Sequence, residues 1–206
     1  MSYKLLFCTA QEAKPVRDQF VHQVLQDDGQ KKHDPPGNSY LPYYLVQSRN
    51  IDAQDHKFIQ QLAPGEDFDT DFVGASIEEC GTWAREQMKR NNSIGPVIVT
   101  LDAQSIKDHT VILSWYAEKI DGPFLAPGQN VNTWYHFRIP PLKVFRLETD
   151  LTMQLESEYF GVLFHRKNEL TDENGVFNYN KAKELILQGE GIVPVDDEAL
   201  EASLRY

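Results

Sequence analysis

PVIVTL (Pro96–Leu101) and TVILSWY (Thr110–Tyr116) are the two stretches that decide the fold of this chain. Both are short, apolar and rich in β-branched residues, which is typical of buried strands. We therefore expect both strands in the centre of one β-sheet.

Tyr3–Cys8 predicts another short buried strand. Thr9 and Glu12, which follow it, stand at the spacing of a capping box and predict a helix from Gln11 to about Gln26.

Weaker signals predict the remaining elements. Ser76 is expected to cap a helix over Ile77–Arg90, with acidic residues in its first turn and basic residues in its last. Pro140 and Pro141 separate two further runs of strand-forming residues, so these runs are expected to form a hairpin at an exposed side of the sheet. The predicted strands are Tyr43–Gln47, Thr133–Ile139 and Lys143–Leu147, and the predicted helices are Ala53–Leu62, Leu155–His165 and Asn180–Gln188.

This order of elements predicts an α/β or α+β fold, a single domain with a mixed β-sheet flanked by helices. A length of 206 residues suits one domain. We expect it to span residues 1–195, followed by an acidic, flexible tail at 196–206.

The composition restricts the possible partners. The net charge is −11, from 31 acidic and 20 basic residues, which disfavours binding to nucleic acid or anionic lipid. There is no long apolar stretch, no signal-peptide pattern and only two cysteines, so we expect a cytoplasmic protein with no membrane partner. Motifs for zinc, nucleotide or dinucleotide binding are absent from the sequence, and we expect no metal and no cofactor.

An acidic run raises calcium as an alternative. Asp67–Asp71, with Glu78 at the twelfth place, partly matches a calcium-binding loop. Phe72 stands where such a loop needs glycine, which favours an acidic connection capped by Ser76 instead.

The clearest candidate site lies on the strand Thr133–Ile139. Alternation along the strand puts Trp134, His136 and Arg138 on one face. An aromatic ring, an imidazole and a guanidinium together suit a planar or anionic ligand. A solvated face with cross-strand partners such as Glu148 explains the same residues.

Five further residues are candidates. Asp102 follows a strand at the place where open α/β sheets position functional carboxylates, and with His109 it offers an acid/base pair, although a simple turn or helix cap is the favoured explanation of Asp102. Cys8 ends a strand before a helix N-terminus, where the dipole lowers a thiol pKa, although a small core residue also fits there. Trp115 and Tyr116 are candidate ligand-binding residues.

Four segments carry a resemblance to known proteins. They are Val97–Asp102, Thr110–Trp115, Leu147–Leu155 and Asp172–Phe177. On these residues the stretch Trp83–Tyr179 resembles an uncharacterised family of small domains from bacteria and fungi. The resemblance implies no catalytic residues.

Two functions remain open from the sequence. The first is a binding domain for a small apolar molecule or a protein partner, because no catalytic motif is recognisable. The second is a small cofactor-independent enzyme, such as a cyclase, isomerase or lyase, that holds an apolar metabolite in an aromatic pocket.

Overall fold

The computed structural model describes residues 3–27, 43–50, 65–117, 132–153 and 161–190. Predictions for Ala53–Leu62 and for the tail at 196–206 lie outside these residues. The strands are β1 (Tyr3–Cys8), β2 (Tyr43–Leu45), β3 (Ile94–Leu101), β4 (Val111–Ala117) and β5 (Thr133–Ile139). The α-helices are α1 (Lys14–Asp27), α2 (Ile77–Arg90), α3 (Ser105–Asp108), α4 (Val144–Met153) and α5 (Tyr179–Leu187). Short 3₁₀ helices cover Gln11–Ala13, Pro141–Lys143 and Lys167–Leu170, and a π-helix covers Gly161–His165.

The strands form one mixed sheet in the order β2-β1-β3-β4-β5. β2 and β3 run parallel to β1, whereas β4 is antiparallel to both of its neighbours, β3 and β5. The register between β1 and β3 shifts between Tyr3 and Leu5, where Lys4 alone lies opposite Gly95, Pro96 and Val97. Pro96 has no N–H to donate to the ladder at this position. The fold class and the central position of β3 and β4 are thus confirmed.

Helices cover both faces of the sheet. α1, α4 and α5 supply apolar side chains to one core, with the alternate residues Leu6, Val99 and Leu113 of the sheet. α2 packs on the other face, where Cys80 and Ala84 meet a smaller cluster from β1 and β3. Among the described residues, no helix combines the length and apolar character needed to cross a membrane.

The two predicted N-terminal caps have different outcomes. At α2 the Ser76 cap is confirmed, and it forms part of a capping box, in which Ser76 Oγ accepts from Glu79 N and the Glu79 carboxylate accepts from Ser76 N. Before α1 the prediction is wrong. Ala10 is the N-cap of the preceding 3₁₀ helix, without a side-chain cap, and Thr9 Oγ1 donates instead to Leu101 O at 3.3 Å.

The predicted strand at Lys143–Leu147 is also wrong, and with it the hairpin. Pro141 starts a 3₁₀ helix that leads directly into α4, a position where proline needs no hydrogen bond. Glu148 is therefore not a cross-strand partner of β5. It lies buried on α4, accepts from Tyr43 Oη at 2.6 Å and forms an ion pair with Lys4.

Candidate functional site

The predicted ligand face of β5 faces α2. Tyr135, Phe137 and Ile139 belong to the large core on the α1 side, and Trp134 packs against the cluster under α2. His136 shares the face of Trp134 because alternate residues of a strand point the same way. We use the name β5 site for Trp134, His136 and Arg138 together with their partners Ser114 on β4 and Asp102 after β3.

The strand order explains why polar groups gather here. The chain leaves β1 through α1 on one face and enters β3 through α2 on the other, and ligands of open α/β sheets bind at the carboxyl ends of such a strand pair. In this chain Thr9 N donates to Leu101 O at 2.8 Å and Gly74 N donates to Thr9 O at 2.8 Å. These bonds occupy backbone polar groups between the carboxyl ends of β1 and β3. The accessible polar side chains lie instead at the carboxyl ends of β3 and β5.

Arg138 and Asp102 form a bidentate ion pair at that edge. β5 runs parallel to β3, which brings the carboxyl ends of both strands to the same side. Arg138 Nη1 donates to Asp102 Oδ1 at 3.2 Å and to Thr110 Oγ1 at 3.1 Å, and Nη2 donates to Asp102 Oδ2. The Arg138 side chain is 11% exposed and that of Asp102 is 26% exposed. The carboxylate is therefore still accessible to a molecule in solvent.

Asp102 also closes the turn that follows β3. Its Oδ1 accepts from Ser105 N at 2.9 Å and from Ser105 Oγ at 3.0 Å. Burial raises the pKa of the Asp102 carboxyl, but the bonds from Arg138 and Ser105 outweigh it, and the net pKa is lowered. The carboxylate is thus ionised at neutral pH.

The predicted acid/base pair of Asp102 and His109 is not found. His109 ends α3 in the left-handed region, with φ 56°, and its side chain is exposed. No hydrogen bond between the two residues exists in the described part of the chain. Of the two interpretations of Asp102, a turn and an acid/base pair, the structure contains the turn.

His136 is half-buried between β4 and α2. Its Nδ1 lies 2.8 Å from Ser114 Oγ, on the neighbouring residue of β4. Burial lowers the pKa of the imidazole most, the charge of Lys167 lowers it further, and Glu78 on α2 opposes both. The ring is therefore neutral at pH 7. Because Ser114 occupies Nδ1, Nε2 is the nitrogen left for a further partner.

Aromatic rings form the other end of the site. The rings of Tyr116 and Trp134 lie 5.1 Å apart, and the Arg85 guanidinium carbon lies 4.5 Å above the Tyr116 ring. Trp134 lies directly on α2 at Gly81, where an added Cβ would be 2.7 Å from Trp134 Nε1. Only glycine allows this approach, so α2 and Trp134 together bound the site on this side.

Two sequence candidates lie elsewhere. Trp115 is on the opposite face of β4, in the large core with Tyr135. Cys8 is fully buried, and its Sγ contacts Ala10 O at 3.3 Å. Burial raises the pKa of the Cys8 thiol to about 11. The expectation that the helix dipole lowers this pKa is therefore wrong, and the small core residue is the better description.

The acidic run does not converge on a single point. Asp67 and Asp69 both contact Lys14 Nζ, at 3.4 and 3.2 Å. Asp71 accepts instead from Ser48 Oγ at 2.9 Å and from the backbone N of Arg49 at 3.0 Å. Within the described ranges, no three potential metal-ligating side chains form a group.

A separate cavity of about 230 Å³ opens beyond the end of β5. It includes none of the sequence candidates. Its lining residues are Pro140, Lys143, Asp172, Val176, Phe177, Asn178, Tyr179 and Asn180. This cavity is the main competing location for a ligand among the described residues.

Three polar residues in or beside the β5 site were not predicted from the sequence: Ser114, Thr110 and Lys167. Ser114 is the single polar residue inside the β4 strand, and the alternation that places Tyr116 on the α2 face also places Ser114 there. The alternation along β4 was therefore sufficient to predict the position of Ser114. Thr110 and Lys167 carry no local pattern, because their roles depend on contacts with the distant strand β5.

Comparison with family models, with curated proteins and with solved structures found no match to this chain. The resemblance of Trp83–Tyr179 to an uncharacterised family stays a prediction, and functional arguments rest on the residues of the β5 site.

Proposed function

We propose that the chain is a small-ligand-binding domain whose ligand occupies the β5 site. The observation that carries the proposal is the accessible Asp102–Arg138 pair beside the half-buried His136. Ligand sites combine apolar walls with a few polar groups held in place by other contacts. Here Ser114 and Thr110 hold the imidazole and the guanidinium, and hydrogen bonds fix the carboxylate.

The walls indicate what kind of molecule fits. The half-buried Trp134, with the buried Tyr116 packed behind it, offers ring surface at one end, which suits a planar apolar group. His136 Nε2 and the Asp102 carboxylate offer hydrogen bonds at the other end. A ligand with a flat apolar part and a polar edge therefore matches this site better than a purely apolar molecule.

A cofactor-independent enzyme is the second candidate function. The observation in its favour is the imidazole of His136, which is neutral at pH 7 and oriented through Nδ1 by Ser114. A neutral imidazole within hydrogen-bond reach of a ligand can accept a proton from it as a general base. If the protein turns over its ligand, His136→Gln should abolish turnover while part of the binding remains.

A protein partner has less support from the described residues. The large apolar side chains exposed there lie in four separate segments rather than on one element: Val73, Ile106, Leu142 and Leu187. Partner-binding surfaces usually present a contiguous apolar patch of several hundred Å².

A thermal-shift screen with a metabolite library tests the proposal. A ligand at about 100 times its Kd stabilises the folded state by about 2.7 kcal/mol, which is roughly 5–10 °C for a chain of this size. The shift should become much smaller in His136→Gln and in Trp134→Leu, and it should persist in His22→Gln, where an exposed histidine on α1 is changed. A library without any hit, or hits insensitive to both site variants, would contradict the proposal.

A further inference from the structure

Lys167 is a partly desolvated cation at the edge of β5. Its Nζ lies 5.1 Å from the centroid of the Phe137 ring, and the side chain is half-buried. In the described ranges no carboxylate lies within ion-pair distance of this ammonium. Four other lysines, by contrast, pair with a carboxylate: Lys4, Lys14, Lys89 and Lys183.

Among the described residues, no negative charge compensates the ammonium of Lys167. A cation that loses water needs a compensating anion, and a ring face replaces it only in part. Burial lowers the pKa of Lys167, and the charge of Lys167 in turn contributes to lowering the pKa of His136. Glu78 acts on His136 from α2, but its side chain is exposed and solvated. Asp102 is already neutralised by Arg138.

We infer that the ligand of the β5 site carries an anionic group, a carboxylate or a phosphate, which Lys167 and His136 bind. The inference rests on the proposed small-ligand function and specifies its ligand class. Lys167 supplies the charge at the outer edge of β5, and His136 supplies a hydrogen bond through Nε2. Trp134, which Tyr116 supports from behind, then contacts the uncharged remainder of the ligand.

An NMR titration of the histidine ring protons tests the inference. The probes are sodium benzoate, inorganic phosphate and benzamide, the last being a neutral match for benzoate, all at constant ionic strength in chloride. Benzoate or phosphate should raise the pKa of His136 in a saturable manner by about 1–3 units, as expected for an opposite charge in hydrogen-bond contact with a half-buried ring. Benzamide should leave the pKa unchanged. The probe with the larger effect identifies the anion class.

Lysine variants provide the second readout. Lys167→Gln should weaken binding of the effective anion at least tenfold, Lys167→Arg should restore most of it, and Lys181→Gln, at an exposed lysine of α5, should have no effect. Unchanged melting temperatures in the absence of probe would show that the variants fold.

The inference would be overturned if neither anion changes the pKa of His136, if benzamide binds as well as benzoate, or if Lys167→Gln binds like the parent chain. The proposed function fails differently. It is contradicted when the library screen finds no molecule of any charge that depends on His136 and Trp134.

Discussion

Asp102→Asn removes the negative charge of the Asp102–Arg138 pair and keeps the size of the side chain. Removing one partner of a fully buried ion pair costs about 3–5 kcal/mol, because the other charge stays buried without compensation. Arg138 is 11% exposed, but the Asp102 carboxylate is 26% exposed, so part of this cost is relieved by water. We therefore expect a loss of about 2–3 kcal/mol in the free energy of unfolding.

The pH dependence of this loss follows from the direction of the pKa shift. The folded-state pKa of Asp102 is lowered from 3.8, so its contribution is complete above the unfolded value and is lost as the pH falls through the folded value. The difference between the parent chain and Asp102→Asn should be constant from about pH 5 to 8 and should shrink below about pH 3.8.

Urea unfolding at several pH values measures both effects. At pH 7 the midpoint should fall by roughly 1 M urea with an unchanged slope, and the melting temperature should fall by roughly 5–10 °C. Asp69→Asn, at a fully exposed carboxylate, is the control and should change little. Equal stability of the Asp102 variant and the parent chain at pH 7, or a difference that does not shrink as the pH falls from 5 to 3, would refute this account of the ion pair.

Three other predictions concern single positions. Gly81→Ala should cost about 1–3 kcal/mol and shift the Trp134 fluorescence, since the new Cβ has no room against the indole; unchanged emission and stability would contradict the packing. The lowered pKa of His136 means that stability is complete above about pH 6.5 and declines as the pH falls below it; His136→Gln should flatten that part of a pH–stability curve, and an identical curve would argue against the shift. Cys8 and Cys80 have pKa values raised by burial to about 11 and 12, so a thiol reagent at pH 8 should label them only after unfolding.

Local patterns predicted most of the sheet because strand alternation is decided by neighbouring residues. β3, β4 and β5 were each expected where they occur, and the α2 capping box is formed entirely within four consecutive residues, Ser76–Glu79. The same is true of the face of β5 that carries Trp134 and His136. In these places the local preference and the tertiary environment agree.

The errors arise where a distant contact overrides the local signal. Thr9 has a capping spacing, but the carbonyl of Leu101 takes its hydroxyl. Lys143–Leu147 contains strand-forming residues, yet it begins the apolar stripe of α4, which continues to Leu151 on the large core. A longer sequence window would have shown this helical spacing.

The candidate site was predictable only in part. The alternation of β5 identified three of its residues, whereas the ion pair joins Arg138 to Asp102 across 36 positions of sequence. To predict such a pair one must already know that β3 and β5 run parallel with β4 between them. Lys167 approaches β5 from a separate segment, and its importance depends on having no carboxylate partner among the described residues, which only the three-dimensional structure reveals.

The most direct test of the β5 site is a fragment screen observed by NMR on the isotopically labelled chain. The indole Nε1–H of Trp134 and the ring protons of His136 report on the site, and the backbone amides of Asn178 and Asn180 report on the separate cavity. Our account predicts that bound fragments shift the Trp134 and His136 signals together, with saturation, and leave the two asparagine amides in place. Fragments that shift the asparagine amides and not the β5 signals would contradict it.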